Sequence, residues 1–300
     1  MTGYQELREG AAWIDLSGRG LIRVTGEDRA RLLHAMTTNH IQQMAPGDWC
    51  YAFFLNAQGR ILADANVLCR EGEFWLDVEP GRREYLCEHL DKYIIADDAT
   101  VEDVSGRYAM LGLEGPGAAA LGVGGFREGI TAAGGAGGRV YVEEGGREAL
   151  VARWTSLGVA AADVEAVNTV RLENARPKYG VDVKETNLVQ ETKLMHAVSF
   201  AKGCYTGQEI VARTHHLGRV KRRTMRFILS PGETPAPLAP LLLDGAKVAE
   251  VLMTAARPER VELLAVTSLE AAGKTLVTAD GRVAEPRAMA YGVTGVPPPA

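Results

Sequence analysis

Hydrophobic and polar positions along this chain change period several times, and each change marks an element. Leu21-Ile22-Arg23-Val24 reads as a short strand and Thr25-Gly26 as a turn. Residues 27–36 then read as a helix, with Leu32, Leu33 and Met36 at helical spacing. Glu27 and Asp28 stand in its first turn, where the helix dipole favours acidic side chains. From 48 to 68 short apolar runs surround a break at Asn56-Ala57-Gln58-Gly59, which predicts a hairpin. A second hairpin pairs residues 65–69 with 74–78 around Glu71-Gly72. Over 82–93, Tyr85, Leu86, His89, Leu90 and Tyr93 share one helical face, and Glu88 supports Lys92 four residues on. His89 on that face reads as a core or boundary histidine rather than a ligand.

A faint echo of the opening follows. Residues 109–121 again run strand, glycine turn, small-residue helix, with Gly115 matching Gly26, as in an α+β domain built from two similar units. Strands are expected at 140–143 and 149–152. Asp163 is placed to cap a helix carrying Val164, Val167 and Leu172, which Pro177 prevents from continuing. Beyond Arg223 the character changes. Pro231, Pro235, Pro237 and Pro240 break the chain, short strand-like runs recur, and Asp244-Gly245 and Asp280-Gly281 are hairpin turns. From about 224 onward the pattern predicts a separate small β-barrel or sandwich, with a frayed tail at 296–299.

At 300 residues the chain is too long for one small core, so two or three domains are expected. A net charge of −5 argues against indiscriminate coating of nucleic acid. The first residues lack a basic segment followed by an apolar run, and no apolar stretch is long enough to span a bilayer. Only 4 cysteines occur, unpaired in spacing, so the expectation is a cytoplasmic protein with reduced thiols and no membrane partner. The glycine run at 134–138 lacks the spacing of a nucleotide cradle.

Candidate chemistry concentrates in Lys202-Gly203-Cys204-Tyr205-Thr206-Gly207-Gln208-Glu209, which runs on through Arg213 and His215-His216 to a basic cluster ending at Arg223. A cationic Lys202 two residues from Cys204 would favour its thiolate. Nucleophile, redox thiol, soft ligand for an iron–sulfur cluster and small buried turn residue are all open readings of Cys204. Cys50, Cys69 and Cys87 are scattered, so a cluster on Cys204 would be transient or shared with a partner. His215 and His216, read as strand neighbours, point to opposite faces, and no metal site is expected. The basic cluster fits a solvated edge, capture of a carboxylate or phosphate tail, or RNA, although the aromatic interleaving of a single-strand platform is missing. Glu173 reads as a surface ion pair or as a buried carboxylate facing a heterocycle.

These residues carry a resemblance. The run from Lys202 to Glu209 with Ala212-Arg213 looks like the signature of the YgfZ proteins, folate-binding relatives of the glycine-cleavage T-protein, the aminomethyltransferase GcvT. Thr214-His215-His216-Leu217-Gly218 is similar to the mitochondrial iron–sulfur assembly branch of that family. Asp15-Leu16-Ser17, Val24-Thr25-Gly26-Glu27-Asp28, Thr38-Asn39, Leu55-Asn56-Ala57-Gln58-Gly59-Arg60, Leu113-Glu114-Gly115-Pro116, Arg171-Leu172-Glu173 and Thr186-Asn187-Leu188 match in order. The resemblance implies an α+β, GcvT-like three-domain ring with ferredoxin-like α+β domains and a C-terminal β-barrel. It places a discontinuous folate-binding domain at 1–48 plus 107–222, an inserted α+β domain at 49–106 and the barrel at 223–300.

It further implies tetrahydrofolate or a derivative as cofactor. Glu173 would hold the pterin, Tyr205, Gln208 and Glu209 would help form the site, and Arg213 and Arg223 would take the glutamate tail. Cys204 and Lys202 become the working groups, and iron–sulfur client or assembly proteins, tRNA-modifying enzymes among them, become the partners. Where the aminomethyltransferases carry Gly-Gly-Ile-x-Asp-Asp, this chain has Gly59-Arg60-Ile61-Leu62-Ala63-Asp64, so one carboxylate of the pair is missing. Asp64 is left as the acid/base candidate of an alternative, folate-dependent C1 transfer. A further alternative is an RNA-binding module using the basic cluster.

Overall fold

A computed structural model describes residues 1–121, 125–218 and 220–289. The chain opens with α1 (Tyr4–Glu9) and β1 (Ala12–Asp15), then β2 (Gly20–Thr25) and α2 (Arg29–Met36). Gly26 makes the intervening turn at φ 97°, where a Cβ would stand 2.1 Å from the Asp98 carbonyl oxygen. Only glycine fits that approach. β3 (Trp49–Leu55), β4 (Ile61–Arg70) and β5 (Glu73–Val78) form the two expected hairpins. α3 (Arg83–Asp91) and β6 (Thr100–Asp103) complete a five-stranded sheet ordered β3-β4-β5-β2-β6. This sheet thus reaches back past residue 49 to take in β2. Its core joins Ile22, Val24, Leu33, Phe54, Leu76, Leu86 and Leu90. His89 is half-buried between the rings of Tyr85 and Tyr93.

A second five-stranded sheet is built from β7 (Tyr108–Glu114), β8 (Phe126–Glu128), β9 (Gly137–Glu143) and β10 (Ala160–Ala161), with β1 between β10 and β7. The helix expected after Gly115 is only a short 3-10 turn, Ala118–Leu121. Residues 149–152, expected as a strand, belong instead to α4 (Arg147–Ser156). Leu150, Val151 and Trp154 fall at helical spacing and pack with Leu111 and Val140. α5 (Val164–Glu173) begins as expected at Asp163, whose carboxylate accepts the Ala166 N–H at 2.7 Å.

The two sheets meet at Asp77 of β5. Arg139 and Tyr141 of β9 both donate to its Oδ2, the Tyr141 hydroxyl at 2.9 Å, while Arg19 Nε donates to Oδ1 at 2.5 Å. Burial works to raise the Asp77 carboxyl, but Arg139 and Arg19 outweigh it and hold the pKa at about 2.

α6 (Val189–Thr192) and α7 (Gln208–Leu217) lead into the last module. There β11 (Arg222–Leu229), β12 (Pro240–Leu243), β13 (Ala246–Arg257), β14 (Arg260–Ser268), β15 (Leu276–Thr278) and β16 (Val283–Arg287) close a barrel in the order β11-β14-β13-β12-β15-β16. Both Asp-Gly turns lie where the sequence places them. Glu262, fully buried, accepts both arms of the Arg226 guanidinium at 3.0 and 3.1 Å. Arg219 and the expected tail at 296–299 lie outside the described residues.

Candidate functional site

Two places concentrate chemistry. The first is the turn at 202–207, between α6 and α7. Gly207 caps α7 in the left-handed region at φ 83° and Gly218 ends it at φ 63°, so His215 and His216 ride on a helix, not a strand. Phe200 stacks on His215 with ring centroids 4.1 Å apart. Among the described residues no group of three or more His, Cys, Asp or Glu side chains is placed to hold a metal ion. Cys204 is exposed, whereas Cys50 and Cys69 are buried and Cys87 is half-buried. Burial pushes the Cys50 thiol up to about 12 and the Cys87 thiol to about 11.

Lys202 does not serve Cys204 as a neighbouring cation. Its side chain turns inward and is 6% exposed, with Nζ donating to the carbonyls of His34 and Thr37. Burial pulls its ammonium down to about 7, opposed by Cys50. Tyr205 is buried in the cluster of Phe53, Leu55, Tyr179 and Val211, and burial raises its phenol to about 12.

The second place is a cavity of about 450 Å³ between the two sheets and α5, within the usual size range of small-molecule sites. Its walls are apolar at Ile14, Leu16, Pro80, Val167 and Pro177 and charged at Arg19, Asp64, Glu79, Arg176 and Lys178. Most of the charge is neutralised internally. Arg19 bonds Asp77 and Glu79, and Lys178 stands 3.7 Å from Glu79. Asp64 has the Arg19 and Arg176 charges near it but is only half satisfied in hydrogen bonds. Tyr51 donates to its Oδ2 at 2.5 Å, but Oδ1 is buried with no donor. Burial and the Glu79 charge raise the Asp64 carboxyl to about 6. Tyr51 also stacks on His196, with centroids 5.5 Å apart. Protein surrounds that imidazole closely enough to lower it to about 4, and the Arg176 guanidinium adds to the fall.

Asp64 therefore lines the cavity, and none of Glu173, Tyr205, Gln208, Glu209, Arg213 and Arg223 does. For Glu173 the reason is helical geometry. Val164, Val167, Asn168 and Arg171 of α5 face the cavity at i, i+3, i+4 and i+7. Glu173 lies about 200° around the helix from Arg171. It is buried against α1 and the barrel, accepting from Tyr4 Oη at 2.8 Å and Arg260 Nη2 at 3.3 Å, with Arg8 and Arg257 also within ion-pair reach. Gln208 opens α7, and Glu209 pairs with Arg213 at 2.7 Å on its exposed face. Arg223 stands near Lys193 at the start of the barrel, and its neighbour Arg222 pairs with Glu191 at 3.2 Å. Sequence reasoning missed Arg19, Glu79, Arg176 and Lys178. Only their nearness to Asp15-Leu16-Ser17, to the Asp77-Val78 strand and to Pro177 could have drawn attention to them.

The two α+β sheets, the six-stranded barrel and the cavity beside Asp64 define a protein of the aminomethyltransferase fold. A crystal structure of the glycine cleavage system aminomethyltransferase T from Bartonella henselae superposes with a TM-score of 0.84, covering 96% of this chain and 88% of that one at 18% identity. Residues 2–122 match the GCVT N-terminal domain family. The mouse protein named iron-sulfur cluster assembly factor IBA57, mitochondrial, is 32% identical over 76% of this chain and 69% of its own length, and the human one is 31% identical over 75% and 71%. The chain belongs to the IBA57 family of GCVT-domain proteins. It spans 61% of the length of another relative, a chloroplastic Arabidopsis thaliana protein named as a transferase, at 27% identity. Among the described residues no helix is long and apolar enough to cross a membrane, which says nothing of strands.

Proposed function

We propose that this chain is an accessory protein of iron–sulfur cluster assembly or repair that presents Cys204 to a partner and binds a reduced folate in the cavity beside Asp64. The exposed Cys204 thiol carries the reading, because the other cysteines are buried or half-buried in packed sheet and helix. The names of the mouse and human relatives support the cluster role. With a single exposed thiol and, among the described residues, no group of three or more metal-ligating side chains, a cluster on Cys204 would be shared with the partner.

The cavity suits a folate by its donor set. A pterin edge offers N–H groups, and Asp64 Oδ1 is a buried acceptor lacking a donor. The apolar side chains of Leu16, Val167 and Pro177 would flank the ring, and Arg176 and Lys178 supply positive charge for the tail carboxylates. When bound, a reduced folate supplies one-carbon chemistry. Asp64 would orient it and exchange a proton at Oδ1. The test in cells is to replace the chain by Cys204→Ser and assay cluster-dependent enzymes, those that modify tRNA included. Activity should fall with the fold intact, and normal activity would refute a working thiol.

A second reading, folate-dependent C1 transfer, draws on the raised Asp64 carboxyl, which suits general acid/base work near neutral pH. Turnover of a methylated or aminomethyl amine with tetrahydrofolate, lost in Asp64→Asn, would favour it. No turnover across a donor panel would remove it.

A further inference from the structure

The C-terminus of an α-helix leaves its last carbonyls without intrahelical donors, and those donors must come from elsewhere. α2 ends at Met36. Its Leu33 carbonyl is satisfied locally by the Thr37 N–H at 3.0 Å and the Thr37 hydroxyl at 2.7 Å. The next ones turn to a distant segment. The His34 carbonyl accepts from Lys202 Nζ, 168 residues along the chain, and the same ammonium donates to the Thr37 carbonyl at 2.6 Å. The Ala35 carbonyl accepts the Thr206 N–H at 3.2 Å.

Just outside this cap the two segments remain joined. The Ser199 N–H reaches the Thr38 carbonyl at 3.0 Å, and the Thr38 hydroxyl donates to the Ala197 carbonyl at 2.6 Å. The turn is thus fastened at Lys202 and again at Thr206, and only Gly203, Cys204 and Tyr205 bridge the gap. Tyr205 is buried with its ring 4.7 Å from the Lys202 ammonium, which leaves Gly203 and Cys204 outside.

We propose that Lys202 is a positioning residue for Cys204: by capping α2 from a distance it fixes where and in which direction the exposed thiol stands. The inference rests on the reading of Cys204 as the working thiol. Lys202 Nζ is engaged by the His34 and Thr37 carbonyls rather than by the sulfur. When protonated, its ammonium meets the negative end of the α2 dipole, an interaction a cation strengthens. It also explains why a lysine stands two residues from the cysteine and yet points away from it.

Hydrogen exchange and thiol modification on the full chain test it. Lys202→Met keeps the aliphatic stem and removes both hydrogen bonds. Exchange at the Thr206 amide should quicken by about tenfold, the equivalent of one hydrogen bond to a charged group. Iodoacetamide modification of Cys204 should change in rate while half-buried Cys87 keeps its own, and Lys202→Arg should restore both. Cluster-dependent enzyme activity should fall in Lys202→Met and return in Lys202→Arg. Lys202→Gln, measured alongside, gives the same reading if the methionine variant does not fold. An unchanged Thr206 amide and Cys204 rate would overturn the anchor, as would a parallel rise at Cys204 and Cys87, which signals general loosening. If the anchor behaves as expected while Cys204→Ser supports clusters normally, the accessory reading fails and the anchor stands.

Discussion

Tyr51 donates its hydroxyl to Asp64 Oδ2 across 2.5 Å, and that contact divides the carboxyl into a tethered oxygen and a buried Oδ1 that has no donor. The geometry gives Asp64 one fixed orientation and leaves Oδ1 an acceptor without a donor. Burial, with the Glu79 charge beside it, raises the Asp64 carboxyl to about 6, above the ordinary aspartate range.

Asp64→Asn should therefore stabilise the protein at neutral pH while weakening ligand binding. The folded-state pKa is raised from 3.8 to about 6, so this group's favourable contribution is present below pH 3.8 and lost as pH rises through 6. At pH 7 the variant should gain about 1–3 kcal/mol over the parent. The gain should vanish in acid, as read by urea unfolding at a series of pH values.

Asp77→Ala should be severe. It strands Arg139, which is 1% exposed, and removes one of the two carboxylates that hold Arg19. Leaving such a charge buried and unpaired costs about 3–5 kcal/mol. Thermal unfolding should drop sharply, and Arg139→Met with Asp77→Ala should recover part of the loss. No recovery would mean that the pair matters by shape alone.

Glu173→Gln separates clamp from ligand site. Losing the charged partner of Tyr4, Arg8, Arg257 and Arg260 should lower stability by about 2 kcal/mol. Affinity for tetrahydrofolate should stay within about twofold of the parent, since the side chain faces away from the cavity and a twofold change is well under 1 kcal/mol. Isothermal titration checks this directly, and a large loss of affinity would return Glu173 to the pterin.

Gly207→Ala should disturb the turn that carries Cys204. At φ 83° a side chain is strained, and the new Cβ would lie 2.6 Å from the Asn56 carbonyl oxygen. A cost of about 1–3 kcal/mol is expected, with α7 loosened from the hairpin. Limited proteolysis near residue 207 should show it.

Much of the fold was legible because it is written locally. The Asn56 and Glu71 hairpins, α3 and the capped start of α5 all rest on residues within a few positions of each other, as do the Asp-Gly turns of the barrel. The run around 149–152 is too short for its period to decide between strand and helix, and Trp154 settles it only when the next turn is included. His215-His216 read as strand neighbours unless Gly207 and Gly218 are taken together as the two ends of a helix. The site was less legible. Thr38-Asn39 could be matched as a motif, but not that Thr38 would fasten the segment before Cys204. Glu173 and Lys202 have the expected residue types. Only the helix phase of α5 and the distant end of α2 decide where their side chains point.

The strand order has a consequence for how this protein behaves at high concentration. Among the described residues the barrel is closed, and the outer strands β10, β8 and β6 have 2, 3 and 4 residues. The one long outer strand among them, β3, is shielded. Thr38 bonds the Phe53 backbone on both sides, and the Asn39 amide covers the Tyr51 carbonyl. Exposed edges are the usual template for strand-by-strand self-association. With each of these edges short or covered, the described residues present no long free strand as a template for self-association.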